Sequence, residues 1–275
     1  CLDVRNGQVV KGVNFEGLRN AGDPAELAER YNEEGIDEVV ILDVTATLEG
    51  RRAMAATVSA VAKRIFIPLT VGGGIRSEDD AAAAIDAGAE KVSLNTAALS
   101  DPSLITKLAS RYGSQAAIVA IDGKWVGGKA MVYARSGQAG TQREAVEWAK
   151  EAADRGAGEI LLTSIDRDGT KSGFDCELTA DVSRAVPIPV IASGGAGSLE
   201  HFAQVFAEGC ADAALAASIF HFSEHAVRDL KVMLHDRGIP LHLYVGNHDM
   251  WIFDYLPEER GVVHPRAGVA PGGGG

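Results

Sequence analysis

Two aspartates that each end a short apolar run, Asp3 in CLDV and Asp122 in IVAID, are suited by type and position to proton transfer. A pair of carboxylates can act as general acid and general base when their surroundings separate their pKa values. Two glycine runs accompany them, TVGGGIRS (Thr70 to Ser77) and IASGGAGS (Ile191 to Ser198). Glycine at a strand end lets the backbone approach a ligand and turn its N–H groups toward an anion. Gly73 and Gly74, with Asn95 and Thr96 one unit later, form one candidate phosphate cradle, and Gly194 and Gly195, with Ala217 and Ser218, form a second. Two cradles across one mouth suit a small molecule phosphorylated at both ends.

Further polar groups cluster around these. Asp43 lies in LDVTA, and TSIDRDGTKSG (Thr163 to Gly173) holds Thr163, Asp166, Asp168, Gly169 and Lys171, without the sequence deciding which of them faces a ligand. Lys11, in a presumed loop from Arg5 to Gly22, is a candidate mobile clamp on a phosphate. His201, His221 and His225 read as helix-surface or packing residues, and neither a metal nor a cofactor is expected. Cys1, Cys176 and Cys210 have no metal-like spacing, and an odd count is a poor disulfide framework. Reduced thiols and a cytoplasmic setting are the expectation.

These groups need a scaffold that brings strand ends to one face. Strands are expected at Cys1–Val4, Glu38–Asp43, Phe66–Val71, Lys91–Leu94, Ala116–Ile121, Glu159–Thr163, Pro189–Ala192 and Ala213–Ala216. Between them, helices are expected at Pro24–Glu34, Arg51–Arg64, Ser77–Ala87, Ser103–Tyr112, Arg143–Arg155, Cys176–Ala185 and Leu199–Glu208. Asp23-Pro24 and Asp101-Pro102 are helix-start signals, and Gly35, Gly88, Gly113, Gly156 and Gly209 sit where a left-handed turn ends a helix. Eight continuously apolar strands with helical crossovers predict an α/β fold, a parallel (β/α)8 TIM barrel, whose functional face carries the loops after the strands. Gly73 and Gly194 stand 121 positions apart, as do Glu38 and Glu159, and CLDVRNGQVVKG resembles AIDGKWVGGKAM. The barrel therefore reads as two similar half-barrels of four βα units each.

The chain has 275 residues, 46% hydrophobic, with a net charge of −12 and a mean hydropathy of +0.03. That balance opposes nucleic-acid and anionic-membrane partners, and no apolar run reaches the roughly 18 residues of a membrane span. The opening CLDV reads as the end of a strand whose first residues are missing, so barrel closure is in doubt at that edge.

Together these stretches, with DEVVILDVTA, EKVSLNTAA, GSQAAIVAID, GAGEILLTSIDRDGTKSG and ADAALAASIFHF, resemble the cyclase subunit of imidazole glycerol phosphate synthase, over residues 1–243. The resemblance implies an ammonia-dependent lyase of histidine biosynthesis. Its substrate is a bisphosphorylated ribulosyl formimino aminoimidazole carboxamide ribotide, and its products are imidazole glycerol phosphate and aminoimidazole carboxamide ribotide. The essential aspartates fall on Asp3 and Asp122. It also implies a glutaminase subunit docked on the N-terminal face, with Glu38, Lys91 and Glu159 as three members of a charged ammonia gate whose fourth, an arginine, would precede Cys1. The alternatives are the related isomerase of the same pathway, or an impaired barrel that only binds ligand or partner.

Residues 244–275 read as a separate tail. GNHDMWIFDYLP resembles a metallophosphoesterase fragment in which Asn247 and His248 would ligate metal, but the upstream ligand segments of that family are missing. Trp251, Ile252, Phe253 and Tyr255 would then be exposed, and the last glycines disordered.

Overall fold

The computed structural model describes residues 1–13, 16–44, 54–221 and 225–240, with the backbone alone for 11–13 and 16–20. The chain divides into Cys1–His242 and Leu243–Gly275. The second unit, with Asn247, His248 and the tail aromatics, lies outside the described residues, as do 51–53 of the expected second helix.

The strands are β1 (Leu2–Arg5), β2 (Gln8–Val13), β3 (Glu16–Gly22), β4 (Val39–Asp43), β5 (Leu69–Gly72), β6 (Lys91–Leu94), β7 (Ala117–Val126), β8 (Lys129–Ala134), β9 (Ala139–Glu144), β10 (Glu159–Ser164), β11 (Val190–Ser193) and β12 (Ala213–Leu215). The helices are α1 (Pro24–Glu33), α2 (Met54–Ala62), α3 (Glu78–Asp86), α4 (Thr96–Ser100), α5 (Ser103–Tyr112), α6 (Ala145–Asp154), α7 (Cys176–Ala185), α8 (Leu199–Ala207), α9 (Ser218–His221) and α10 (Val227–Asp236).

Eight strands run parallel in the order β1-β4-β5-β6-β7-β10-β11-β12. This is the expected (β/α)8 barrel. At its seam the backbone nitrogen of Cys1 donates to the carbonyl of Ala216 at 2.9 Å, and Leu2 to Val4 pair with Ile41 to Asp43. Strand one is thus held on both sides. The strands are apolar on both faces because one face fills the barrel and the other meets helices; Leu2, Ile41, Val71, Val92, Ile121 and Ile160 are all fully buried.

Helix starts follow the sequence signals. Asp23 accepts from the backbone N–H of Ala25 and of Glu26 (2.9 and 3.1 Å), and Asp101 from that of Ser103 (3.1 Å). Gly35, Gly88, Gly113 and Gly156 have positive φ as expected. Gly209 does not; the left-handed residue is Cys210 (φ 52°). Gly209 is needed for a different reason, since a Cβ there would lie 2.7 Å from the carbonyl of Val205.

The larger correction concerns Arg5–Gly22, which is not a loop. β1 turns into β2 through Asn6-Gly7, and β2 pairs with β3. In the second half β7 turns into β8 through Gly127-Gly128, and β8 pairs with β9. All four turn residues have positive φ, the signature of two-residue hairpins whose twist matches their strands. The pair Asn6-Gly7 stands 121 positions before Gly127-Gly128, and α1 and α6 begin with the same spacing. The half-barrel repeat therefore includes these excursions. Asp3 lies three residues before its turn and Asp122 five. An even difference preserves the pleat, so both side chains keep the same phase.

A buried carboxylate pins the second excursion. Asp175, 7% exposed, caps α7 through the N–H of Leu178 (3.1 Å). Its Oδ2 also accepts from the indole N–H of Trp125 (3.0 Å) and the hydroxyl of Ser164 (2.9 Å). β7, β10 and α7 meet at this one group. Asp175→Ala orphans two donors and removes a cap, each loss worth about 1–3 kcal/mol. Urea unfolding is expected to show a loss of about 2–4 kcal/mol, with Asp175→Asn losing less.

Candidate active site

The C-terminal ends of the barrel strands open onto a cavity of about 980 Å³. Asp3, Asp43 and Asp122 line it from strand ends, Gly73, Gly74, Gly194 and Gly195 from the two glycine turns, and Asn95, Thr96, Ala217 and Ser218 from the units that follow. Thr163, Asp168 and Gly169 line it from β10 and its loop. The structure thus brings together every residue singled out for this mouth except Lys11, whose side chain lies outside the described residues.

What first approaches the glycine turns is the chain itself. Gly73 has φ +81°, and a Cβ there would lie 2.3 Å from the carbonyl oxygen of Asp43 at the end of the neighbouring strand. Gly194, with φ +93°, stands in the same relation to Ser164, at 2.9 Å. Both glycines are thus required by backbone packing, independently of any anion.

Asp3 and Asp122 sit on the first and fifth of eight barrel strands, opposite one another in the ring. The thiol of Cys1 lies 3.4 Å from Oδ1 of Asp3. Asp122 is enclosed by protein on every side but the mouth, and this burial pushes its pKa up to about 6. The side-chain amide of Asn95 donates to its Oδ2 at 2.9 Å and opposes the rise, while the negative charge of Asp168 adds to it. Asp168 is therefore the member of its cluster that acts on the site electrostatically. Asp166 accepts instead from the backbone N–H of Trp125 (2.9 Å), tying the β10 loop to β7. The histidines serve packing: His221 is buried, with Nδ1 2.5 Å from the Tyr31 hydroxyl, and His201 accepts from the N–H of Gly197 (3.1 Å).

Lys124, Arg135 and Ser136, from β7 and the β8–β9 tip, also line the cavity. The sequence reading passed over them. Their signal was the Gly-Gly turn followed by half-exposed strands, which a search for continuously apolar runs does not detect.

At the opposite face, where strands begin, the ammonium of Lys91 lies between Glu38 and Glu159, 2.7 Å from each. Thr70 donates its hydroxyl to the other oxygen of Glu38. The three charged side chains are only 17–24% exposed. Burial disfavours the ammonium, but the hydrogen bonds to Glu159 and Glu38 outweigh it, and the Lys91 pKa is raised. These charges form a closed network across the barrel floor.

The model of the histidine biosynthesis protein family matches residues 1–226. Three curated relatives align over 243 residues, 88% of this chain, and each carries the name imidazole glycerol phosphate synthase subunit HisF. They come from Acidobacterium capsulatum (60% identical, 96% of that protein covered), Chlorobium phaeobacteroides (57%, 97%) and Chlorobium phaeovibrioides (56%, 97%).

The raised pKa of Asp122 makes stability depend on pH. In the unfolded chain an aspartate titrates near about 3.9, so between about pH 4 and 6 the folded state holds the proton longer. Folding stability is lost as pH rises through that window. Asp122→Asn removes this penalty. Relative to the parent, its thermal midpoint is expected to be near equal at pH 4 and to pull ahead as pH rises, levelling above pH 7. The gain approaches about 3 kcal/mol at most, and a difference independent of pH would show that Asp122 titrates normally.

Proposed function

The chain belongs to the histidine biosynthesis protein family, and on that premise we propose that it is the ammonia-dependent cyclase subunit of imidazole glycerol phosphate synthase. The observation that carries the reading is the carboxylate pair, Asp3 and Asp122, standing across a mouth between two symmetric glycine turns. The substrate is the bisphosphorylated ribulosyl formimino aminoimidazole carboxamide ribotide. It lies across the cavity with one phosphate at Gly73, Gly74, Asn95 and Thr96 and the other at Gly194, Gly195, Ala217 and Ser218. Backbone N–H groups and hydroxyls there donate to phosphate oxygens, so a strongly acidic protein can hold a dianion at each end. Thr163, Asp168, Gly169 and Asp43 wall the middle.

The reaction adds ammonia at the ribulosyl carbonyl, whose oxygen leaves as water, closes an imidazole ring and cleaves one C–N bond to release the aminoimidazole ribotide. Protons must leave the attacking nitrogen and reach the departing oxygen and the nitrogen of the departing ribotide. Two carboxylates on opposite sides supply an acceptor and a donor without moving the substrate. With a pKa of about 6, Asp122 is ionised near neutral pH and more basic than an ordinary aspartate. That suits it to accept a proton from the attacking nitrogen.

Ammonia comes from a glutaminase subunit on the N-terminal face and enters past Glu38, Lys91 and Glu159. The relatives' shared name calls each a subunit, and the Lys91 network lies on that face, where ordinary strand starts would be solvated. Among the described residues no helix is long and apolar enough to cross a membrane, in keeping with a cytoplasmic complex.

Asp3→Asn and Asp122→Asn are each expected to cut turnover by at least about 10² while leaving substrate affinity nearly intact. Near-normal turnover in either variant removes that residue from the mechanism. At fixed free ammonia, kcat/KM of the parent is expected to rise through a limb near pH 6 that Asp122→Asn lacks. Ammonium salts should support turnover by the purified chain, whereas glutamine alone should not; turnover of glutamine by this chain would contradict a separate glutaminase.

A further inference from the structure

We propose that Arg135, at the tip of the β8–β9 hairpin, is the cation that closes over the phosphate held at Gly73, Gly74 and Thr96, and so fixes which end of the ligand lies there. The inference rests on the proposed function and adds to it a residue outside both glycine turns.

Among the described residues four cations line the cavity: Arg76, Lys124, Arg135 and Lys171. Three are otherwise placed or occupied. Arg76 faces Asp80 at 3.7 Å, and Lys124 lies over the ring of Tyr133, 5.8 Å from its centroid. Lys171 belongs to the far end, where its carbonyl packs against Gly197 beyond the second glycine turn. Arg135 makes no ion pair among the described residues, although its side chain borders a cavity rich in carboxylates. An uncommitted guanidinium at the rim of an acidic pocket suits a ligand that brings its own negative charge.

The hairpin tip is anchored at the first cradle. The backbone N–H of Arg135 donates to the hydroxyl oxygen of Thr96 at 2.9 Å. With a lone pair engaged there, the Thr96 hydroxyl is left to donate its own proton, and the two bonds reinforce each other. Arg135 and Ser136 hold φ of 53° and 54°, followed by Gly137 at 78°. Two consecutive non-glycine residues in the left-handed region persist where the surroundings hold them, and the Thr96 contact is such a constraint. The residue that carries the guanidinium is thereby tethered by its backbone at the first cradle.

Each product carries one phosphate, which provides the test. Parent, Arg135→Gln and Arg135→Lys proteins would be titrated calorimetrically with imidazole glycerol phosphate and, separately, with aminoimidazole carboxamide ribotide. Arg135→Gln is expected to weaken one of the two by about tenfold and leave the other within about twofold, with Arg135→Lys recovering part of the loss. In parallel, its KM for the bisphosphate should rise about tenfold with kcat within about twofold. Equal weakening of both products indicates a diffuse charge effect and overturns the proposal, as does no change in either. A parent that binds neither product overturns the proposal and the functional reading together. A parent that turns over normally beside an unchanged Arg135→Gln overturns the proposal alone.

Discussion

The whole mouth depends on one close approach, the glycine backbone after β5 lying on the end of β4. With no Cβ, Gly73 can turn at φ +81° directly against Asp43, and the chain leaves the strand without a bulge that would fill the cavity. Gly194 repeats the contact against Ser164. Because parallel barrel strands all end on one side, each such turn delivers backbone N–H groups to the same face. Strand order then sets the two turns across from each other, with an aspartate-bearing strand in each half. A side chain at either glycine would push apart neighbouring strands and close the space a ligand needs.

The two ends of the barrel are built on different physics. The mouth is open, lined by backbone donors and by carboxylates, one of which burial holds well above its ordinary pKa. The floor is a compact ion network in which a lysine is shared by two glutamates at 2.7 Å. Partly buried charges of this kind are stabilising only as a complete set, so the floor resists the loss of any member while the mouth tolerates strain for the sake of chemistry.

Much of this was legible beforehand. Most of the eight barrel strands carry short, mainly apolar runs, and the 121-residue offset links Glu38 with Glu159 and Gly73 with Gly194. The hairpins were missed although Asn6-Gly7 and Gly127-Gly128 announce them, because β8 and β9 are half exposed and do not look like core. Asp175 was not singled out, since nothing in the letters shows that Trp125 and Ser164 converge on it. The Lys91 network was read from family resemblance alone, since charges at strand starts look solvated until their burial is seen. Arg135 was invisible for a related reason, as its position follows from a long-range bond to Thr96.

The hydrogen bond from Asn95 to Asp122 has no counterpart in the other half, where the position 121 residues on is Ala216. A duplicated barrel presents a ligand with two nearly equivalent orientations, head-first or tail-first. Reversal would exchange the partners of Asp3 and Asp122. An asparagine amide donates to Asp122 where the repeat offers only an alanine, so the two halves of the site are chemically distinct and acquire a polarity that duplication alone would not provide. One asparagine thus separates a directional catalyst from a symmetric cup.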